Sequence, residues 1–151
     1  MYELTLTLHS IVRWVVLIAG VIAIIQALAG WRRSHPWTAG DNRIGMIYTT
    51  SLDVQLLLGL LLFFVLSPIT RAAMSSMGSA MQNEVTRFFL VEHFPLMLIA
   101  IIIAHIGRSR ARKASDDNGK HRLSFIFYAI SLVLVLLAIP WPFMSYGRPL
   151  M

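Results

Sequence analysis

Residues 11–31 read IVRWVVLIAGVIAIIQALAGW, an apolar stretch whose one charged residue is Arg13. A helix needs about 20 predominantly apolar residues to cross the hydrocarbon core of a bilayer, and this stretch is long enough. Three further stretches have the same character, at residues 46–66, 88–107 and 123–143. The sequence therefore predicts four membrane-spanning helices.

The composition of the whole chain agrees with a membrane protein. Of the 151 residues, 57% are hydrophobic and 13% are charged, whereas a soluble domain is about half apolar and a quarter charged. So large an apolar excess cannot be buried in one small core, which argues against a soluble enzyme and a disordered chain. The chain has no cysteine, which excludes disulfides and thiolate metal sites. We expect residues 1–151 to form one membrane domain.

Lysine and arginine are distributed unevenly between the two sides of the four spans. The first and third connections carry nine of them: Arg32, Arg33, Arg43, Arg108, Arg110, Arg112, Lys113, Lys120 and Arg122. The other side carries three: Arg71, Arg87 and Arg148. Basic connections stay in the cytoplasm, so both termini are expected outside.

Short connections favour an all-α, up-down-up-down four-helix bundle with the first and third spans on a diagonal. The net charge of +6 then reflects topology, and no nucleic-acid partner is expected.

Four polar residues are expected near the outer ends of the first and third spans. His9 and Arg13 are four residues apart and share one face of the first helix, while Glu92 and His93 begin the third at a similar depth. Two histidines at one depth on diagonal helices can bind a haem iron from both faces. Bis-histidine ligation leaves no open coordination position, which suits electron transfer. His9 and His93 are therefore candidate axial ligands.

The charged residues near these histidines allow two interpretations. With a haem present, Arg13, Arg71 or Arg87 would pair with the propionates. Without one, Glu92 and Arg13 would form an ion pair near the headgroups and the histidines would be interfacial. The spacing leaves both open.

A second polar pair is expected toward the inner side. Asp53 is predicted about 10 Å inside the second span, and His105 lies near the inner end of the third. Together they would relay protons or bind a quinone head group. The alternative is a structural contact that sets the register of the two helices.

Three methionines in the second connection, Met74, Met77 and Met81, have the spacing of one helix face. Thioethers are soft ligands that suit Cu(I). The same spacing is typical of an amphipathic stripe lying on the membrane.

Several short segments together carry a family resemblance. They are Leu8-His9-Ser10, Arg13-Trp14, Asp41-Asn42-Arg43, Gln55-Leu56-Leu57-Leu58-Gly59, Arg87-Phe88-Phe89, Glu92-His93, Ile106-Gly107-Arg108-Ser109 and Ile139-Pro140-Trp141-Pro142. The chain resembles a family of small four-span bacterial membrane proteins, common in Bacteroidota, that are usually labelled "cytochrome b" or uncharacterised. The resemblance implies one b-type haem. It also points to His9, Arg13, Glu92 and His93 as the cofactor-binding residues.

The leading expectation is a multi-pass protein of the bacterial inner membrane that binds one haem b near its outer face. It would transfer electrons between a quinone and a periplasmic or complex-bound acceptor. Any part in an enzymatic reaction would be limited to this electron transfer. The alternative is a cofactor-free accessory subunit of a larger respiratory, photosynthetic or secretion complex. A third interpretation is a small transporter or copper-handling protein. The expected partners are the bilayer, a quinone and other membrane subunits.

Overall fold

A computed structural model describes residues 1–148, which are helical throughout apart from short connections and the tail. The helices are α1 (Tyr2–Arg33), α2 (Ala39–Leu61), α3 (Pro68–Ser75), α4 (Met77–Gln82), α5 (Glu84–Arg87), α6 (Phe94–Lys113) and α7 (Asp117–Ala138). A π-helical segment, Leu62–Leu66, continues α2, and another, Phe88–His93, joins α5 to α6. Four continuous helices, Tyr2–Arg33, Ala39–Leu66, Glu84–Lys113 and Asp117–Ala138, are long and apolar enough to cross a membrane. The predicted four-span, all-helical architecture is confirmed.

The helix ends follow local chemistry rather than the limits of the apolar stretches. α2 begins seven residues before residues 46–66, because Thr38 and Asp41 form a capping box. The Asp41 carboxylate accepts from the Thr38 backbone N–H at 2.8 Å, and the Thr38 hydroxyl accepts from the Asp41 N–H at 3.3 Å. α7 ends at Ala138, five residues before the predicted limit, because Pro140 holds the residue before it in an extended conformation.

The four long helices surround a common core in chain order. α1 packs on α2 and α7, and α6 packs mainly on α7 and only weakly on α2. α1 and α6 are therefore diagonal, as the short connections predict. We call the end with residue 2 and residues 139–148 the tail end, and the end with residues 34–38 and 114–116 the basic end.

Small residues bring the helices close together in the core. Ala19, Gly20, Ala23 and Ala27 form a buried face of α1. A Cβ at Gly20 would lie 2.8 Å from Cε2 of Tyr48, so only glycine permits this approach of α2. Close contact through small residues drives helix association in lipid, where apolar burial supplies no net gain.

Hydrogen bonds between helices link the core across three helices. The Ser131 hydroxyl on α7 lies 2.9 Å from the Tyr48 hydroxyl on α2 and donates to the Ala100 carbonyl on α6 at 2.8 Å. All three residues are buried. The bundle therefore has a small polar centre inside apolar helices.

The outside of the bundle is apolar over the spans. Ile25, Leu57, Val133 and Leu137 each expose more than half of their surface. A soluble bundle would place charged residues at such positions. The exposed side chains are instead apolar, as the hydrocarbon core of a bilayer requires, which indicates a multi-pass membrane protein.

Candidate functional site

A cavity of about 430 Å³ lies at the tail end between α1, α2 and the helix that contains α6. Its volume is typical of a small-ligand or cofactor site. The polar residues that line it include His9, Arg13, His93, Arg148 and Glu3. Much of the wall is apolar and includes Leu6, Leu62, Phe63, Ile69, Phe89 and Met97. The cavity thus combines an apolar body with a few polar groups.

His9 and His93 face each other across the bundle. His9 lies on α1 and His93 ends the π-helical segment before α6, and their ring centroids are 6.5 Å apart with an interplanar angle of 63°. Both rings line the cavity. The structure therefore brings together the two histidines that the sequence analysis selected.

The π-helical segment determines the direction of His93. Pro95 cannot donate a hydrogen bond, and its ring would clash with the carbonyl of Val91 in a regular α-helix. The wider turn of Phe88–His93 accommodates the proline. One extra residue in the turn also rotates the preceding side chains by about 100° relative to α6.

The second nitrogen of His93 has a backbone partner. Its Nδ1 donates to the carbonyl of Ala138 at 2.7 Å. This carbonyl is free because α7 ends at Ala138 and no following N–H of the helix reaches it. With the proton on Nδ1, Nε2 keeps a lone pair for a metal, as in most histidine–metal sites.

The His9 ring packs against a small residue on α2. A Cβ at Gly59 would lie 3.4 Å from its Cε1, an ordinary contact distance, so this glycine leaves space beside the ring. The Gln55 amide donates to the His9 carbonyl at 3.0 Å and connects α1 to α2 at this level. Among the described residues, the buried Nδ1 of His9 has no hydrogen-bond partner.

Two arginines reach the cavity. Arg13 lies one turn after His9, is 8% exposed, and places its guanidinium 5.9 Å from the centre of the Trp14 ring. Arg148 donates to the Tyr2 hydroxyl at 3.3 Å and lies over the Phe89 ring. Of the two, Arg13 is a buried cation within a span, where a charge is costly unless it faces a cavity or a partner.

Sequence reasoning missed Arg148 as a site residue. The tail after α7 folds back over the tail end of the bundle, where Tyr146 stacks on Phe88 with ring centroids 3.9 Å apart. The Ser145 hydroxyl donates to the Glu84 carboxylate at 2.7 Å. No sequence motif predicts this fold-back. The aromatic residues and prolines of the tail are the one signal in the sequence that could have suggested packing against the bundle.

Three residues considered for the outer site lie away from the cavity. Glu92 pairs with Arg87, with Oε1 and Nε 3.5 Å apart, so the ion pair is not the one expected with Arg13. Neither partner lines the cavity, and Arg71 is exposed elsewhere on α3. We therefore do not assign Glu92, Arg71 or Arg87 a contact with a ligand in this cavity.

Asp53 and His105 meet, as the inner-site hypothesis requires. His105 Nε2 lies 2.8 Å from Asp53 Oδ1. Asp53 lies about 21 Å along α2, because the helix begins at Ala39 and extends before the apolar stretch that starts at residue 46. The two side chains are 44% and 47% exposed, so the pair opens to the lipid side rather than the core.

The three methionines do not share one helix. Met74 lies on α3, while Met77 and Met81 lie on α4, and Ser76 between them has an extended φ of −144°. The expected single helix face was wrong, because the chain breaks there. The arrangement offers no support for a thioether site.

The ligand set argues against a bare metal at the histidine pair. The described part of the chain has no group of three or more His, Cys, Asp or Glu side chains that could hold a metal ion. A protein-bound first-row metal usually takes about four protein or water ligands. Haem supplies four nitrogens itself, so two histidines suffice.

Comparison of the chain with family models, curated proteins and solved structures finds no match.

Proposed function

We propose that this protein is a b-type cytochrome-like electron carrier that holds one haem b between His9 and His93. The observation that carries the proposal is the 6.5 Å separation of the two imidazole rings at one cavity. It rests on residues from diagonal helices, which only the tertiary structure brings together.

The separation would allow His9 and His93 each to supply one nitrogen to a haem iron. A histidine nitrogen binds a first-row metal at about 2 Å, so the centres of two such rings lie about 6 Å apart. The interplanar angle of 63° would be compatible, because binding through one nitrogen of each ring does not require parallel rings. Bound haem would take up and release single electrons.

The cavity wall suits the remaining parts of a haem. The apolar wall would cover the porphyrin face, and Arg13 and Arg148 are cations suited to the two propionates. The hydrogen bond from His93 to Ala138 holds that ring in place and sets its tautomer. His9 and His93 would thus hold the iron, and Arg13 and Arg148 would pair with the propionates.

The proposed electron route follows from the two ends of the bundle. By the distribution of lysine and arginine, the tail end faces the periplasm of a bacterial inner membrane, so the acceptor would be periplasmic or complex-bound. The Asp53–His105 pair opens toward lipid, where quinones dissolve. We propose that a quinol beside this pair passes its two electrons singly to the one-electron carrier, with reoxidation by the acceptor between them, and gives its two protons to the pair.

The first experiment is absorption spectroscopy of the protein purified in mild detergent, before and after reduction with dithionite. We expect a Soret band and sharpened bands in the reduced protein. His9→Ala and His93→Ala should each lose most of the bound haem. His35→Ala is the matched control, because His35 is exposed in the connection after α1.

The result against the proposal is a pure, monodisperse protein that stays colourless after haem is supplied. The His9–His93 contact would then be an aromatic packing contact, whose centroid distance is also typical of such pairs. That result would favour the cofactor-free accessory subunit, and co-purifying membrane proteins would become the lead.

A further inference from the structure

A second hollow of about 490 Å³ lies at the basic end, on the outside of the bundle. It is lined by His105, Arg108, Ser109, Arg112 and Lys113. The lining residues follow i, i+3, i+4, i+7 and i+8, which is one face of α6. They extend about 12 Å along the helix, from the Asp53–His105 pair to the end of α6.

Three cations of this hollow have no acidic partner among the described residues. The ion pairs of the described residues are Arg87–Glu92, His105–Asp53 and Lys120–Asp117. Arg108, Arg112 and Lys113 take part in none of them. The Nε of Arg108 is buried and has no hydrogen-bond partner in the described chain. The hollow is thus lined by three cations that no carboxylate neutralises in the described part of the chain.

The position of the hollow specifies the kind of anion. The membrane-spanning part of α6 ends here, at the depth where lipid headgroups begin. The C-terminus of a helix repels an anion with about half an elementary charge, but three full positive charges outweigh that. Arginine forks match phosphate oxygens in bidentate geometry. The Ser109 hydroxyl adds a further donor.

We infer that the face of α6 formed by Arg108, Ser109, Arg112 and Lys113 binds the phosphate of an anionic phospholipid. The acyl chains would lie along the apolar outside of the bundle. Basic pockets at the ends of membrane helices commonly bind such headgroups. This site is independent of the proposed haem, because it lies at the opposite end of the bundle.

The test is native mass spectrometry of the delipidated protein with phosphatidylglycerol or phosphatidylcholine of identical acyl chains. We expect phosphatidylglycerol to bind several-fold more tightly. The variant Arg112→Gln/Lys113→Gln should weaken phosphatidylglycerol binding about tenfold or more. The matched control is Arg32→Gln/Arg33→Gln, which removes the same charge from exposed residues at the same end. Its affinity should change less than about twofold.

Three results would overturn the inference. Equal affinity for the two lipids would remove the role of headgroup charge. An equal loss in both double variants would show a general charge effect without a site. Displacement of the lipid by an equal concentration of inorganic phosphate would show a free-phosphate site. Arg112 and Lys113 are exposed at a helix end, so the variants should fold, and haem content plays no part in the readout.

Discussion

Ionisable side chains inside a bilayer are stable when they face a cavity, water or a partner. His9, His93 and Arg13 meet this condition by lining the tail-end cavity. Asp53 and His105 meet it in another way, because they satisfy each other on the lipid-facing side of the bundle. The proposed function therefore gives the two groups different tasks, cofactor binding for the first and proton exchange with a quinol for the second.

At the residue level, we predict that Asp53→Asn slows reduction of the haem-loaded protein by a short-chain quinol. Asparagine keeps the hydrogen-bonding shape but is not a base, so the rate should fall about tenfold or more. Stopped-flow spectroscopy measures this rate. Asp117→Asn is the control, because Asp117 pairs with Lys120 at the basic end. Equal rates in wild type and Asp53→Asn would exclude a proton-accepting role for this carboxylate.

At the level of helices, close approach at glycine holds α6 and α7 together. A Cβ at Gly107 would collide with Cβ of Phe127. α6 and α7 form the most extensive helix pair of the bundle. Their separation would also disturb the Ser131–Ala100 hydrogen bond that joins the same two helices.

Gly107→Ala should therefore lower the free energy of unfolding by about 1–3 kcal/mol, the usual cost of overpacking. Thermal unfolding in detergent, followed by circular dichroism, measures the change. Gly78→Ala is the matched control, because no atom lies within 4 Å of its added Cβ and α4 is exposed there. It should be neutral or slightly stabilising. A Gly107→Ala protein as stable as Gly78→Ala would contradict the role of this contact.

At the level of the whole molecule, the charge distribution predicts that the tail end faces outward. The native chain has no cysteine, so single introduced cysteines report topology without background. In intact cells, Ser75→Cys should react with a membrane-impermeant maleimide, and Ser115→Cys should react only after lysis. Both serines are exposed, at the tail end and the basic end respectively. The reverse pattern would place the cavity on the cytoplasmic side and change the expected electron acceptor.

Much of the architecture was determined by local sequence. Four apolar stretches of bilayer length predict four spans, because a backbone in lipid must satisfy its hydrogen bonds within a helix. Thr38 and Asp41 cap α2, and Pro140 stops α7, through chemistry confined to a few residues. The helices nevertheless extend beyond the apolar stretches at residues 11–31 and 46–66, since helix formation continues through polar flanks outside the hydrocarbon.

The tertiary structure alone decided how the side chains meet. Whether His9 faces His93 depends on the rotation of two diagonal helices and on the π-helical turn before Pro95, which no periodicity reveals. Arg148 enters the cavity through a fold-back of the tail, a contact across nearly the whole chain. Sequence therefore specified which residues are polar and which four stretches form long apolar helices. Packing, which depends on all four helices together, determined which of those residues share a site.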